Sequence, residues 1–132
     1  KTLLIITLFI TGVCFAQKYE GMEFYDNGQP KSIKTYKESN DKFELIKSIS
    51  VYENGQKSSE KTYKNGQEDG KSTNWYENGQ KWLERTYKDG KEDGLMTEWY
   101  ENGQKEEEGT YKDGELIEKI EWDEDGDLID YE

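Results

Sequence analysis

The stretch Tyr76-Glu77-Asn78-Gly79-Gln80-Lys81 decides how this chain reads. It recurs unchanged at Tyr52–Lys57 and Tyr100–Lys105, so successive copies stand 24 residues apart. A looser copy, YDNGQPK, occupies Tyr25–Lys31, and a degenerate one, WDEDGDL, occupies Trp122–Leu128. A second phrase, TYK, follows each good copy, at Thr35–Lys37, Thr62–Lys64, Thr86–Lys88 and Thr110–Lys112. Self-similarity at a fixed period of some 20 to 50 residues marks a repeat architecture.

Asn-Gly between β-forming residues is the strongest short-range hairpin signal, because a type I′ turn needs two residues at positive φ. Asn27-Gly28, Asn54-Gly55, Asn78-Gly79 and Asn102-Gly103 fit it. A second set of turns follows at Asn65-Gly66, Asp89-Gly90 and Asp113-Gly114. Two turns per repeat leave strands of roughly 7–9 residues and predict an all-β fold: a single twisted antiparallel meander sheet of repeated β-hairpins. The repeats run 19–44, 45–69, 70–93 and 94–117, with a half-repeat at 118–132, all within a domain spanning 17–132. The first is three residues longer, and the excess is placed in a longer loop at Glu38–Glu44.

Two-residue turns throughout would set Tyr76 opposite Lys81, Trp75 opposite Trp82 and Asn74 opposite Leu83. Side chains alternate between faces along a strand. One face then carries Phe24, Val51, Trp75, Trp99 and Trp122, with Trp82 beside Trp75. The other carries Tyr25, Tyr52, Tyr76, Tyr100, Leu83 and the TYK tyrosines Tyr36, Tyr63, Tyr87 and Tyr111. A bulge at Gly70 or Gly94 would flip the faces of every residue beyond it. A lone hairpin is marginal in water, so repeats of this kind stabilise one another by stacking.

Residues 1–16 read as a secretory signal peptide: a basic Lys1, an apolar run Thr2–Phe15, and small residues positioned for cleavage after Ala16. The run is shorter than the roughly 20 residues a membrane-spanning helix needs. Lipidation of Cys14 is the alternative processing. The remainder has no cysteine, and more than half of its apolar residues are aromatic. Burial must therefore come mostly from Tyr and Trp. The formal net charge is −12, which repels nucleic acid and anionic membrane surfaces.

There is no histidine, so no imidazole base and no histidine metal site. The serines have no partner base, and each glycine is a turn residue with no phosphate-cradling fingerprint around it. An enzyme is not expected, and neither is a cofactor. Glu121–Glu132 partly matches a calcium loop through Asp123, Asp125, Gly126, Leu128 and Glu132. It equally reads as the degraded fifth copy of the repeat turn, and both readings stay open.

Trp75–Lys81 with Thr86–Gly90, and Trp99–Lys105 with Thr110–Gly114, resemble the bacterial variant of the MORN (membrane occupation and recognition nexus) repeat. The resemblance covers nearly all of residues 19–128. It implies a single-sheet interaction scaffold, tied in some members to membranes or phospholipids, and for many bacterial variants an antitoxin-component role. The acidic charge opposes the membrane role, and the leader places any toxin partner outside the cytoplasm. The expected function is an exported (periplasmic, cell-surface or secreted), non-enzymatic repeat scaffold mediating protein–protein interaction. A glycan-binding module of the envelope and an immunity-like partner of an exported toxin are the alternatives. Aromatic columns suit either a peptide or a sugar, and the candidate binding residues are Trp75, Tyr76, Trp82, Tyr87, Trp99 and Tyr100.

Overall fold

The computed structural model describes residues 4–7, 18–39 and 42–129. Eleven strand segments form one sheet: β1 Leu4–Thr7, β2 Lys18–Phe24, β3 Pro30–Ser39, β4 Lys42–Val51, β5 Lys57–Lys64, β6 Gln67–Trp75, β7 Lys81–Lys88, β8 Lys91–Glu92, β9 Gly94–Trp99, β10 Lys105–Lys112 and β11 Glu115–Glu121. Neighbours in sequence pair antiparallel from one end to the other, and β8 is the short first part of the strand that β9 continues on β7. This is the expected single open meander. Residues 8–17, which include Cys14 and Ala16, lie outside the described residues. Within the expected leader, Leu4–Thr7 forms β1 and pairs with β2 from Leu4↔Met22 to Thr7↔Tyr19.

The YENG turns differ from the type I′ expectation. Tyr76 C=O accepts the Gly79 N–H at 2.9 Å, and Tyr76 N–H donates to Gln80 C=O at 2.8 Å. Gly79 alone takes positive φ (86°), while Asn78 stays out of that region. This is a type I turn closed by a glycine in the left-handed region, the usual three-residue hairpin solution. Asn78 serves through its side chain instead, its Oδ1 accepting the Gln80 N–H at 2.9 Å. The second turns do place both residues at positive φ, as at Asp89 (48°) and Gly90 (81°), and are the type I′ turns.

The longer turn introduces a bulge. Asn74 faces Leu83 as expected, but Trp75 faces Lys81, leaving Trp82 as the extra residue. Trp82 therefore does not sit beside Trp75. Its ring lies 6.4 Å from that of Tyr76. The irregularities at Gly70 and Gly94 occur too, but the register on either side differs by two residues, so the faces are preserved. The three additional residues of the first repeat lengthen β3 and β4 to ten residues each, leaving residues 40 and 41 between them. That excess is strand, not loop.

Register thus gives a tyrosine face, with Leu83, Met96 and both tyrosine sets, and a tryptophan face, with Trp75 and Trp99. Among the described residues the buried apolar side chains are Leu83 (6% exposed) and Met96 (3%). So thin a core needs another source of cohesion, and the YENGQK phrase supplies it. Tyr52, Tyr76 and Tyr100 each donate their hydroxyl to a carbonyl of the next repeat, at Trp75, Trp99 and Trp122, over 2.7, 2.8 and 2.9 Å. Asn54 and Asn102 donate Nδ2 to the carbonyls of Glu77 and Glu124 at 2.9 Å, and Asn78 to Glu101 at 3.3 Å. Gln56, Gln80 and Gln104 lie where a side chain on Gly79, Gly103 or Gly126 would have to be. Lys57, Lys81 and Lys105 hold their ammonium groups 5.4, 5.7 and 5.6 Å from the rings of Trp75, Trp99 and Trp122.

Each copy therefore grips the next one along. Gln and Lys, polar residues beside a hairpin turn, belong to that grip. The fifth copy fits the same logic. Trp122, Glu124 and Gly126 keep the positions that are gripped, while Tyr, Asn, Gln and Lys have become Asp123, Asp125, Asp127 and Leu128. It forms the same turn, with Gly126 N–H donating to Asp123 C=O at 2.9 Å. The calcium-loop reading of Glu121–Glu132 extends past residue 129, outside the described residues. The first link is weaker. Tyr25 reaches the Val51 carbonyl at 2.7 Å, but Gly55 has open space around it and Lys31 lies over Tyr25 of its own repeat.

Candidate functional site

The expected binding residues divide between the two faces. Trp75 and Trp99, on the tryptophan face, are half-buried, and each carries a lysine over its ring. The same lysines pair with a glutamate three residues on. Glu60 is held by Lys47 and Lys57, both at 2.6 Å, and Glu84 by Lys71 and Lys81, both at 2.7 Å. Glu108 pairs with Lys105 in the next copy. The hydrogen bonds from Lys47 and Lys57 hold the Glu60 carboxyl below its usual range. Burial works to raise Glu84, but the bonds from Lys71 and Lys81 outweigh it and the carboxyl is lowered. These glutamates recur at a spacing of 24, a signal that is present in the sequence but hidden among its many carboxylates.

Tyr76 and Tyr100, on the tyrosine face, are tied to the next repeat through their hydroxyls. Burial raises the Tyr76 phenol, with the charges of Glu106, Glu101 and Glu98 adding to it. Tyr87 lies further along that face, its hydroxyl 3.3 Å from Glu92 Oε1, which Arg85 also holds at 2.6 Å. Trp82 packs against Tyr76. The six residues are thus spread over both faces and several repeat junctions, and none of them lines the cleft at the N-terminal end of the sheet.

A concavity of the tyrosine face lies at its N-terminal end. A cleft of about 440 Å³ is lined by Tyr19, Glu20, Gly21 and Glu23 of β2, Ser32, Lys34 and Tyr36 of β3, and Phe43 of β4. Its origin is a change of side-chain size along the sheet. The column that carries Met96 in the fourth repeat carries Ser72, Ser48 and then Gly21 in the earlier ones. The column of Leu83 carries Ser59 and Ser32. The aromatic rim persists where the filling shrinks, so a hollow opens. Tyr19 and Phe43 meet edge to face, ring centres 4.8 Å apart at 87°. Tyr19 donates its hydroxyl to Glu38 at 2.5 Å, and that hydrogen bond is the main cause of its raised pKa. Even with Tyr19 against it, Phe43 is 60% exposed, a large apolar surface for one ring to show to solvent. Sequence reasoning misses Tyr19 and Phe43 because neither belongs to the repeated phrases.

The whole arrangement defines a class: an open, single-sheet repeat protein whose units hold one another through a turn phrase. The chain belongs to the MORN repeat variant family, whose profile matches four units, residues 20–38, 47–65, 68–89 and 92–113. Each matched unit holds one YxNG turn and ends one residue past its TYK phrase. A comparison with curated proteins gives no match.

Proposed function

We propose that this chain is an exported, non-enzymatic repeat scaffold that binds a protein partner on its tyrosine face, with an apolar side chain of the partner seated in the N-terminal cleft. The observation that carries the reading is the cleft itself. Tyr25, Tyr52, Tyr76 and Tyr100 are engaged in holding the next unit, whereas Phe43 and Tyr36 edge an open hollow with Lys34 and Glu23 beside it. A hollow with an apolar floor and a few polar groups at its rim is the usual form of a recognition site. Membership in a repeat family supports a binding role, and the leader-like residues 1–16 support export.

The test is recovery of a partner from envelope extract by the unsubstituted chain, by Phe43→Ala and by Trp99→Ala. Loss with Phe43→Ala and retention with Trp99→Ala is expected. Equal recovery by all three would remove the cleft from the interface. A glycan is the second candidate, and retention on peptidoglycan or polysaccharide columns distinguishes it. On the tryptophan face, Lys57 and Lys81 already occupy one side of the rings of Trp75 and Trp99, so the cleft is the better sugar platform as well.

A further inference from the structure

The two ends of the sheet are not equivalent. At the C-terminal end, β11 carries a register irregularity near Ile117, and the chain runs back alongside it, Trp122 bridging Leu128 and Ile129 N–H donating to Glu121 C=O at 2.9 Å. A bulge and a covering turn are the usual ways to blunt an edge against further strands. The N-terminal end has neither along Tyr19–Met22. There β1 pairs in unbroken antiparallel register with β2: Leu4↔Met22, Ile5↔Gly21, Ile6↔Glu20, Thr7↔Tyr19. The cleft adjoins this same edge, and four of its lining residues belong to β2. Gly21, which contributes no side chain to fill it, is the residue opposite Ile5.

We propose that the outer edge of β2 is a strand-acceptor site, which Leu4–Thr7 fills within the full chain and which an extended segment of the partner fills once residues 1–16 are removed. The incoming strand is uncharged and rich in β-branched residues over four positions, as Leu4–Thr7 is. It sets an apolar residue opposite Gly21, at the mouth of the aromatic cleft. Strand addition of this kind takes its affinity from main-chain hydrogen bonds and its selectivity from pockets that receive alternate side chains. The proposal rests on the export reading, because cleavage after Ala16 is what would empty the site. It gives residues 1–16 a second role: they cap the edge until the protein has left the cell.

A tethered strand competes strongly. A short connection, here residues 8–17, gives an effective concentration in the millimolar range, so a probe of micromolar affinity is weakened on the order of 10²–10³-fold while β1 is seated. The probe is a fluorescein-labelled peptide of residues 2–9 with a lysine tail for solubility, read by anisotropy. The chain recovered from the exported fraction should bind it at least tenfold more tightly than the full chain. The full chain carrying Ile6→Pro together with Ile5→Pro, which removes a donor to β2 whichever set of amides faces it, should bind it more tightly than the unsubstituted full chain. Two probes N-methylated at alternate residues separate strand addition from apolar adhesion. One of them should lose binding, because only one set of amides faces β2.

Equal binding by both methylated probes and the unmodified one would overturn the proposal. So would no gain in affinity with either the double-proline variant or the exported chain. Sedimentation of the exported chain as a dimer that excludes the probe would name a second copy as occupant, and would overturn the partner-strand reading. A mass showing no cut after Ala16 would sink the export reading alone, and the double-proline comparison would still decide whether the edge accepts a strand.

Discussion

Tyr76→Phe removes one oxygen from the grip between the third and fourth repeats. The ring stays, and with it the contact to Trp82. What goes is the 2.8 Å bond to the Trp99 carbonyl. A hydrogen bond of this kind contributes a net 0.5–1.5 kcal/mol or thereabouts, and a carbonyl left dry adds to the loss, so the expected cost is about 1–2 kcal/mol. For a domain of this size about 1 kcal/mol moves Tm by roughly 3–5 °C. The distribution of the effect is more telling than its size. In a quasi-one-dimensional stack each junction couples nearest neighbours. Weakening the 76-to-99 junction lets β9, β10 and β11 open as a block without β2 to β5. Native-state hydrogen exchange should rise about fivefold in β9–β11, the equilibrium factor for about 1 kcal/mol, and stay near its original rate in β4 and β5. A uniform rise across the sheet, or a Tm within about 1 °C of the parent, would refute the claim that the tyrosine hydroxyl is a junction bond.

Other contacts set three further outcomes. Gly79→Ala forces an alanine to a φ near 86° and pushes its methyl group into Gln56, and should cost about 1–2 kcal/mol by denaturant titration. Adding Gln56→Ala should return the steric share and leave the backbone share. Glu98→Gln should raise Tm at neutral pH by roughly 2–4 °C and leave it unchanged below about pH 4. Burial, then repulsion from Glu107 and Glu106, raises the Glu98 carboxyl. A raised folded pKa makes stability greatest below the unfolded value and lost as pH rises through the folded one, so the ionised group is a liability at neutrality. Glu84→Gln should behave oppositely. Its lowered folded pKa contributes stability above the unfolded value that disappears as pH falls through the folded one. The variant should melt lower at neutral pH and show a flatter acid limb.

The period, the antiparallel meander and the division into a tyrosine and a tryptophan face were legible, because a spacing of 24 and a side-chain alternation of two leave few other solutions. The turn type was not. Asn-Gly suits a type I′ turn and equally a type I turn closed by glycine, and the choice here is made by Tyr76 and Gln80 pairing across the loop. That choice inserts Trp82 as a bulge, which a two-residue turn could not foretell. Gln80 and Lys81 read as solvated because single-sequence logic treats polar residues near a turn as facing water. Their partners, Gly103 and Trp99, sit about one repeat away, where only lateral stacking brings them close. The cleft was illegible for a related reason. It arises where Gly21 and Ser32 fall in columns that hold Met96 and Leu83 elsewhere, and those columns depend on the register of a first repeat with three extra residues.

The one-way grip of the YENGQK phrase has a consequence for how such a chain can change length. The copies at Tyr52, Tyr76 and Tyr100 present the same gripping side chains forward, and those at Tyr76 and Tyr100 the same carbonyls, glycine and ring backward. A recombination slip that duplicates or deletes 24 residues between Tyr52 and Lys105 yields new neighbours that already match, with both ends left as they were. Slips that reach the first unit or Trp122–Leu128 have no such protection, since Val51 lacks the ring and Asp123, Asp125 and Asp127 lack the reach. The interior can therefore be a register of copy number, open to lengthening and shortening, while the ends are held to one sequence each.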